Sequence, residues 1–557
     1  MFALFLSGTI ALFLFICFGF FTTKVLSIEG TSFEKVLIGM VAVNILTSFI
    51  SIFTPISIHI LLYVVLTAIA CAIYIKNELR GFYKIITSND HIILFSVPFI
   101  LVSFSIALQE PSIFDSGLYH IQSIKWIEEY PTVPGLANLH HRFGFNPIAF
   151  SLYALTSLQY FFNQEIFSIH LVLFSIVTIY FIHTLYNTLK NNGVNNYFIF
   201  YCIFFYVLIL LNVKISSPSP DYISSTVLLF IFLRIIEIEN SKKAFTFKTF
   251  IPIIILSAYC VMVKLSTIPI CLITAYILFT YNTNWKTTTR MGIGIIAICI
   301  PWLINTVLLT GWLIYPFSSL DLFNFDWKIP THVVDHLNAE IVGWARSPNN
   351  YYYEVAHMPL TKWIPIWWSY LAISIKLLII GSILLPGILF IGQLIKVVPA
   401  KRLLNLCILT SVLGVLFWFF TAPDFRFGHI FILMACCTPL LYFNSKYTLF
   451  KNATYIQKRV LFACVCAILL FKSIRNDAHT ISKLFYTYKN NTITPKKIIS
   501  TDAVYTYIYI GSEKIYKPVV DERCFDHPVP CSHADLSSIE LRGTHLTSGF
   551  RYKLKDK

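Results

Sequence analysis

Residues 147–162, "PIAFSLYALTSLQYFF", decide how this chain is threaded. They are the weakest of fifteen apolar segments, which fall near 2–21, 36–53, 57–76, 91–108, 147–162, 166–186, 197–213, 223–238, 250–263, 266–281, 291–310, 370–394, 403–421, 427–443 and 459–472. A hydrocarbon core about 30 Å thick asks for roughly 20 apolar residues per helix. This segment is short, opens with Pro147 and carries Ser, Thr, Gln and two Tyr. Charge supplies the test. If all fifteen segments cross, the basic loop 76–90 (Lys76, Arg80, Lys84) falls on the side opposite the other basic loops. Those are 239–249 (Lys242, Lys243, Lys248), 282–290 (Lys286, Arg290), 395–402 (Lys396, Lys401, Arg402) and 444–459 (Lys446, Lys451, Lys458, Arg459). Reading 147–162 as a helix lying along the interface puts all five on the cytoplasmic side, as the positive-inside rule asks.

Fourteen spans then remain, with both termini extracytoplasmic. The loops 109–165, 214–222, 311–369 and 422–429 and the tail after about 473 share that outer face. The first segment lacks the basic flank and small-residue cleavage site of a signal peptide and is expected to be retained. The fold expected is an all-α polytopic membrane protein with a small C-terminal extracytoplasmic α/β appendage. It divides into extra transmembrane helices over 1–90, a transmembrane core over 91–472 and a tail over 473–557.

Composition agrees. Of 557 residues 57% are hydrophobic and only 12% charged, 50 are Phe, and the mean hydropathy is +0.71. The lipid bilayer is therefore the first partner. A net charge of +15 could point to nucleic acid, but Lys and Arg cluster in short loops between apolar runs, which is membrane sorting. No nucleic-acid partner is expected. Eleven of the thirteen Cys lie in or beside apolar runs with no metal-ligand spacing. The others, Cys524 and Cys531 in "DERCFDHPVPCSH", would face an oxidising compartment, where a disulfide is favoured over free thiols. A metal site with His527 and His533 is the rarer alternative. "AVYTYIYIG" (503–511) alternates apolar and polar residues as a strand does.

The most polar stretch is "FDSGLYHIQSIKWIEEYPTVPGLANLHHRFGFNP" (114–147). Asp115 follows the 91–108 helix closely, so it sits near the membrane surface. Tyr119 and His120 lie within a turn or so of it, with Trp126, Glu128 and Glu129 beyond. The prolines and glycine of "YPTVPG" turn the chain back, bringing Asn138, His140, His141 and Arg142 towards the acid. A loop acid is ordinarily just solvated, and paired histidines ordinarily pack or cap. One carboxylate among many donors is nevertheless the pattern of acid–base chemistry. Lys264, between two short apolar segments at the outer face, either snorkels or serves a site. In the 311–369 loop, Trp344, Tyr351, Tyr352, Tyr353 and Trp363 offer stacking faces, whereas Trp367 and Trp368 read as a headgroup belt.

The order of membrane helix, outward loop opening with an acid, "Y…I…W…E…YP…PG" and "N-P" resembles the GT-C superfamily of integral-membrane glycosyltransferases. "SSPSPDY" resembles that family's second outward loop, with Asp221 as its acid. "IPWLINTVLLTGWLIYP" (300–316) is similar to a "PW…N…G…P" pattern, although Ile304 stands where an Arg is often found. "APDFRFGH" (422–429) resembles the loop that places an Arg on the lipid phosphate, matching Arg426 with Asp424 beside it. The resemblance covers roughly residues 91–470, and three additional spans precede the catalytic loop here. The chain looks closer still to bacterial envelope proteins of unassigned activity that share "DSGLYH…YP…VPGL.NLH.R" and a terminal Cys pair.

The resemblance implies an inner-membrane enzyme with its site facing the periplasm. It would transfer a sugar from a polyprenyl-phosphate donor to an envelope glycan, lipid or protein acceptor. Asp115 would be the base, and Tyr119, His120, His140, His141, Arg142, Asp221, Lys264, Tyr351, Asp424 and Arg426 would line the site. Some such enzymes use a divalent metal such as Mg or Mn, which Asp115, Asp221 and a His could hold, and others use none. Two alternatives stand beside it: a polymerase or ligase acting on undecaprenyl-linked glycan, and a lipid or solute transporter.

Overall fold

A computed structural model describes residues 1–241, 246–281, 284–443, 449–476 and 504–553. Lys242, Lys243, Lys446 and tail residues 477–503 lie outside them. The chain is mostly helical. Its first two helices, Phe2–Val25 and Ser32–Ile50, cross backbone to backbone at two glycines. A Cβ at Gly39 would stand 1.8 Å from the Phe15 carbonyl oxygen, and one at Gly19 would stand 2.0 Å from that of Lys35. Lipid tails are as apolar as leucine, so close packing of small residues is what holds such a pair together.

Segment 147–162 does not cross, but neither does it lie on the surface. It forms the helix Ala149–Thr156, breaks at Leu158 in a left-handed conformation and ends in the turn Gln159–Phe162. Eight residues rise only about 12 Å, too short to span. Every residue of Ala149–Thr156 is buried. Ser151, Tyr153 and Thr156, which argued for an interfacial helix, are instead buried inside the bundle, whereas Gln159 and Tyr160 sit in the part-exposed turn that follows. Asn44 Nδ2 donates to Ile148 O (2.7 Å) and Ser151 Oγ (2.9 Å), Ser7 Oγ donates to Thr156 O (2.6 Å), and Tyr153 OH meets His170 Nε2 (2.5 Å). A polar group inside an apolar bundle is stable only with such partners.

Among the described residues nine helices are long and apolar enough to cross a membrane, or ten if Ile58–Tyr74 and Lys76–Lys84, bent by 81°, form one span. That falls short of fourteen for identifiable reasons. The 223–238 segment lies in Pro220–Asn240, whose Asp221, Arg234, Glu237 and Glu239 dilute its apolar character. Segments 250–263 and 266–281 become the short pieces Phe247–Val263 and Leu265–Thr280, broken at Lys264. The last, Tyr455–Asn476, carries Lys458, Arg459, Lys472 and Arg475.

The basic loops gather at one end. Lys24 pairs with Glu78 (3.0 Å) and Arg459 with Asp90 (2.7 Å). Lys458 Nζ donates to Lys190 O and Lys451 O, and Lys401 Nζ to Leu441 O. The polar loops meet at the other end, where the tail packs on them. The described tail is β rather than α/β, with two antiparallel pairs, Tyr505–Ile510 with Glu513–Pro518 and Ile539–Leu541 with Phe550–Tyr552. Its only helical turn is the 3-10 turn Leu546–Ser548. Cys524 and Cys531 form a disulfide, so neither thiolate is available for a metal.

Candidate active site

Three chain segments converge on Asp115. The first is its own. Asp115 precedes a π-helical turn, Ser116–His120, which runs into the helix Ile121–Glu129. Such turns recur at functional sites because they re-aim side chains. The second outward loop grips the first, as Ser217 Oγ accepts from the backbone N–H of Ser112 (2.9 Å) and Ile113 (3.1 Å). In that loop Ser219 caps the helix Pro220–Asn240, with Pro220 at its start and Asp221 in its first turn, where a carboxylate suits the helix dipole. The third is 422–429, where Asp424 caps the helix Phe425–Cys437 by accepting from Arg426 N (2.9 Å).

Asp115 is shared between two guanidinium groups. Arg142 Nη1 lies 3.2 Å from Oδ1, and Arg426 Nη1 lies 3.3 Å from Oδ2. Each arginine has a second anchor, Glu340 for Arg142 and Asp424 (3.2 Å from Nε) for Arg426. Lys264 pairs with Asp221, and its Nζ lies 3.8 Å from the centre of the Phe427 ring, which Arg426 also covers at 4.6 Å. Lys264 is therefore engaged at the site and does not snorkel. Beside it Arg426, Ser225, Ser266, Thr267 and His429 line a narrow cleft. His429 Nδ1 meets Arg426 O (3.1 Å), while its buried Nε2 has no protein partner.

His120 packs on Tyr119 with ring centres 4.4 Å apart, and its Nδ1 lies 3.4 Å from Ser116 Oγ. Burial drives its pKa down to about 4, against the pull of Asp115 and Asp221. It is a neutral group at pH 7. Burial likewise raises the Tyr119 phenol, so Tyr119 is a hydrogen-bonding and packing group there.

Among the described residues no three His, Cys, Asp or Glu side chains converge as metal ligands. Asp115 and Asp221 each pair with a cationic side chain.

His140 and His141 stack with ring centres 5.1 Å apart but face different partners. His141 Nε2 approaches Glu340 (3.5 Å) at the edge of the site. Glu340 itself was not singled out in the sequence, because "THVVDHLNAEIVGWAR" reads as an ordinary amphipathic helix. Burial alone would raise its pKa, but the neighbouring His141 ring and the Arg142 guanidinium hold it at about 2. His140 turns to the tail. Its Nδ1 accepts from Arg142 N–H (3.2 Å), which leaves the proton on Nε2 to donate to His533 Nδ1 (3.2 Å). Tyr351 is exposed, stacks on Tyr352 and stands apart from the Asp115 cluster. Trp367 is no headgroup belt. It is buried against Trp418 and Phe419, and its Nε1 donates to Pro423 O (2.8 Å), which anchors the 422–429 loop.

The tail packs into the core of the loop that carries Asp115. Phe525 N donates to Gly117 O (2.9 Å), Gln122 Nε2 to Phe525 O (3.1 Å) and His527 O (2.7 Å), and Ser532 Oγ to Leu139 O (2.8 Å). Lys125 and Asp526, both buried, pair at 2.9 Å. Asn138 Nδ2 donates to Phe550 O (3.1 Å). Gly117 has no room for a side chain, since a Cβ there would stand 2.7 Å from the Phe525 ring.

Tail docking should weaken in acid. His140 and His533 both have lowered pKa values, mainly from burial, with His141 and Arg142 adding to it and Glu340 and Glu522 opposing it at His533. The undocked state then binds more protons below the ordinary value of about 6.5. The stabilisation is full above that pH and is lost as pH falls towards the docked values. Glu165, raised to about 7 chiefly by burial, has the opposite sign. The histidine share is therefore the difference between wild type and His533→Gln. Limited proteolysis of the tail at pH 7.5 and pH 5 should show acid sensitisation in wild type, and less of it in the variant.

These features define a multi-pass helical membrane protein whose polar loops and C-terminal strands enclose a carboxylate held by arginines. The chain belongs to a family whose model matches residues 1–433 and is described as "Domain of unknown function (DUF8201)". The matched range contains Asp115, Arg142, Asp221, Lys264, Glu340, Asp424 and Arg426, and ends before the strands of the tail. Comparison with curated proteins and with solved structures gives no match.

Proposed function

We propose that this protein is a GT-C-type glycosyltransferase of the bacterial inner membrane. It would move a sugar from a polyprenyl-phosphate donor to an envelope acceptor at the periplasmic face, with the five short, bent or charge-bearing apolar segments completing a fourteen-span topology. The observation that carries the reading is the placement of Asp115 between Arg142 and Arg426 where three polar loops meet.

In the transfer the acceptor oxygen bonds to the sugar's anomeric carbon as the bond from that carbon to the phosphate oxygen breaks. The electron pair leaves with the polyprenyl phosphate, and the acceptor proton passes to Asp115. Arg426 and Lys264 neutralise the departing phosphate, the arginine through its bidentate fork. Arg426 Nη1 donates to Asp115 Oδ2. Its move to the phosphate frees that oxygen to accept the proton, so donor binding readies the base.

The test is complementation of a deletion strain by wild type and by Asp115→Asn at equal protein level, with envelope glycans and lipid-linked sugars read by mass spectrometry. Loss of one defined sugar with accumulation of its lipid-linked donor is the expected result. Glycans unchanged in both the variant and the deletion would sink the proposal and favour transport. The polymerase or ligase reading draws on Arg142, Arg426 and His429 lying together. It gains if Asp115→Asn is harmless while Arg426→Ala is inactive.

A further inference from the structure

We propose that a second cavity, linked to Asp115 through Glu340 and Arg142, receives the acceptor, and that the acceptor group seated there is an uncharged sugar ring. This rests on the glycosyl-transfer reading and assigns the side of the site which that reading leaves open.

The cavity, about 180 Å³, is bounded by His141 and by His332, Val333, His336 and Leu337. The last four belong to the helix Thr331–Arg346. On that helix His332, His336 and Glu340 follow one another at intervals of four residues, so they form one stripe. The stripe leads to the base. Glu340 binds Arg142 and Arg142 binds Asp115, while His141 at the cavity wall also approaches Glu340. Of the two arginines on Asp115, Arg426 lines the cleft with Lys264, whereas Arg142 is joined to the histidine cavity through Glu340 and His141.

The wall chemistry narrows the occupant. Val333 and Leu337 give an apolar floor, and three imidazoles give π faces that pack on sugar C–H groups. The ring nitrogens of each imidazole also offer hydrogen bonds, which suit hydroxyl groups. Tyr352 OH extends the rim, 2.9 Å from His336 Nε2, and the Tyr353 ring lies parallel to that of His336 at 6.1 Å. No Lys or Arg lines the cavity, and Arg142 is already engaged by Glu340 and Asp115, so the cavity offers no permanent cation to an anionic acceptor. The volume exceeds a single water and falls below the roughly 300–1,000 Å³ of drug-sized pockets. It is the scale of one ring, with the rest of an acceptor left outside among the exposed Tyr351 and Tyr353.

The probe is envelope glycan isolated from the deletion strain, which holds the unmodified acceptor. Purified full-length protein in lipid nanodiscs is treated with diethylpyrocarbonate, and modification of each histidine is read by mass spectrometry. The expected result is at least three-fold protection of His332 and His336 by the glycan, with exposed His545 in the tail as an unprotected control. Undecaprenyl phosphate should give no such protection, and Asp115→Asn should be protected like wild type, because binding does not need the base. His332→Ala/His336→Ala, changes at exposed positions, should lower transfer in cells at least ten-fold while the lipid-linked donor accumulates. Absence of protection together with wild-type transfer by the double variant overturns this inference while leaving the transfer reading intact. Protection by undecaprenyl phosphate alone overturns it as well and gives the cavity to the donor. If Asp115→Asn and the deletion both leave envelope glycans unchanged, the transfer reading fails, and the acceptor assignment with it.

Discussion

Asp115→Asn is expected to lower sugar transfer by about 10²–10⁴-fold, the range that a positioned general base supplies. The substitution keeps the volume and removes both the charge and the proton-accepting oxygen. It also turns an amide towards guanidinium groups, and an NH₂ cannot accept from Arg142 or Arg426 as a carboxylate oxygen does. Both arginines keep their second anchors, Glu340 and Asp424, so the loops should stay folded. Asp115→Glu restores the charge one methylene too far out and should recover part of the activity, which an electrostatic or purely structural role could also show. Arg426→Lys separates these roles. It keeps the cation but loses the fork, so weaker donor binding should raise the donor concentration needed for half-maximal rate more than it lowers the maximal rate. If Asp115→Asn transfers at the wild-type rate with purified donor and acceptor, Asp115 is no base.

The site could be read from the sequence where chemistry is local. Asp115, Asp221, Lys264 and Arg426 could be singled out because a charged residue beside an apolar segment is conspicuous, and the structure brings all four together at one end of the bundle. Glu340 could not. It lies far along the chain from Arg142 on a helix of mixed polarity, and only tertiary packing pairs the two. Segment 147–162 shows the same limit in the fold. Charge counting told that it does not cross, but Ser151, Tyr153 and Thr156 look equally polar whether their partners are water or Asn44, His170 and the 149–156 backbone. Trp367 erred likewise, since an amphipathic ring suits a headgroup layer or a buried acceptor such as Pro423 O. The tail gave least away. Its strand and disulfide are local patterns, whereas its docking on the loop that carries Asp115 depends on residues some 400 positions apart.

Asp526→Ala should then release the tail and, on the proposed glycosyl-transfer reading, abolish transfer without touching Asp115 or its arginines. Lys125 and Asp526 are both more than nine-tenths buried by residue and pair at 2.9 Å. Taking one partner from a buried pair leaves an uncompensated charge and costs about 3–5 kcal/mol. That is enough to shift the tail's local docking equilibrium by roughly 10²–10³-fold or more. The charge cannot simply be relieved by Glu129 or Glu165, which interact with Lys125 but are themselves pushed towards the neutral form by burial. Once Phe525 withdraws from Gly117, the turn carrying Tyr119 and His120 loses its outer support. Faster tail proteolysis in intact membranes and loss of transfer should therefore appear together. Replacing both partners, as in Lys125→Met/Asp526→Leu, removes the charges and keeps the packing volume. It should restore docking and most of the transfer, because a buried ion pair is seldom worth more than a well-packed apolar pair. If the double variant docks its tail but stays inactive, Lys125 or Asp526 acts in the chemistry itself. If Asp526→Ala frees the tail and transfer persists, the tail is dispensable for positioning Asp115.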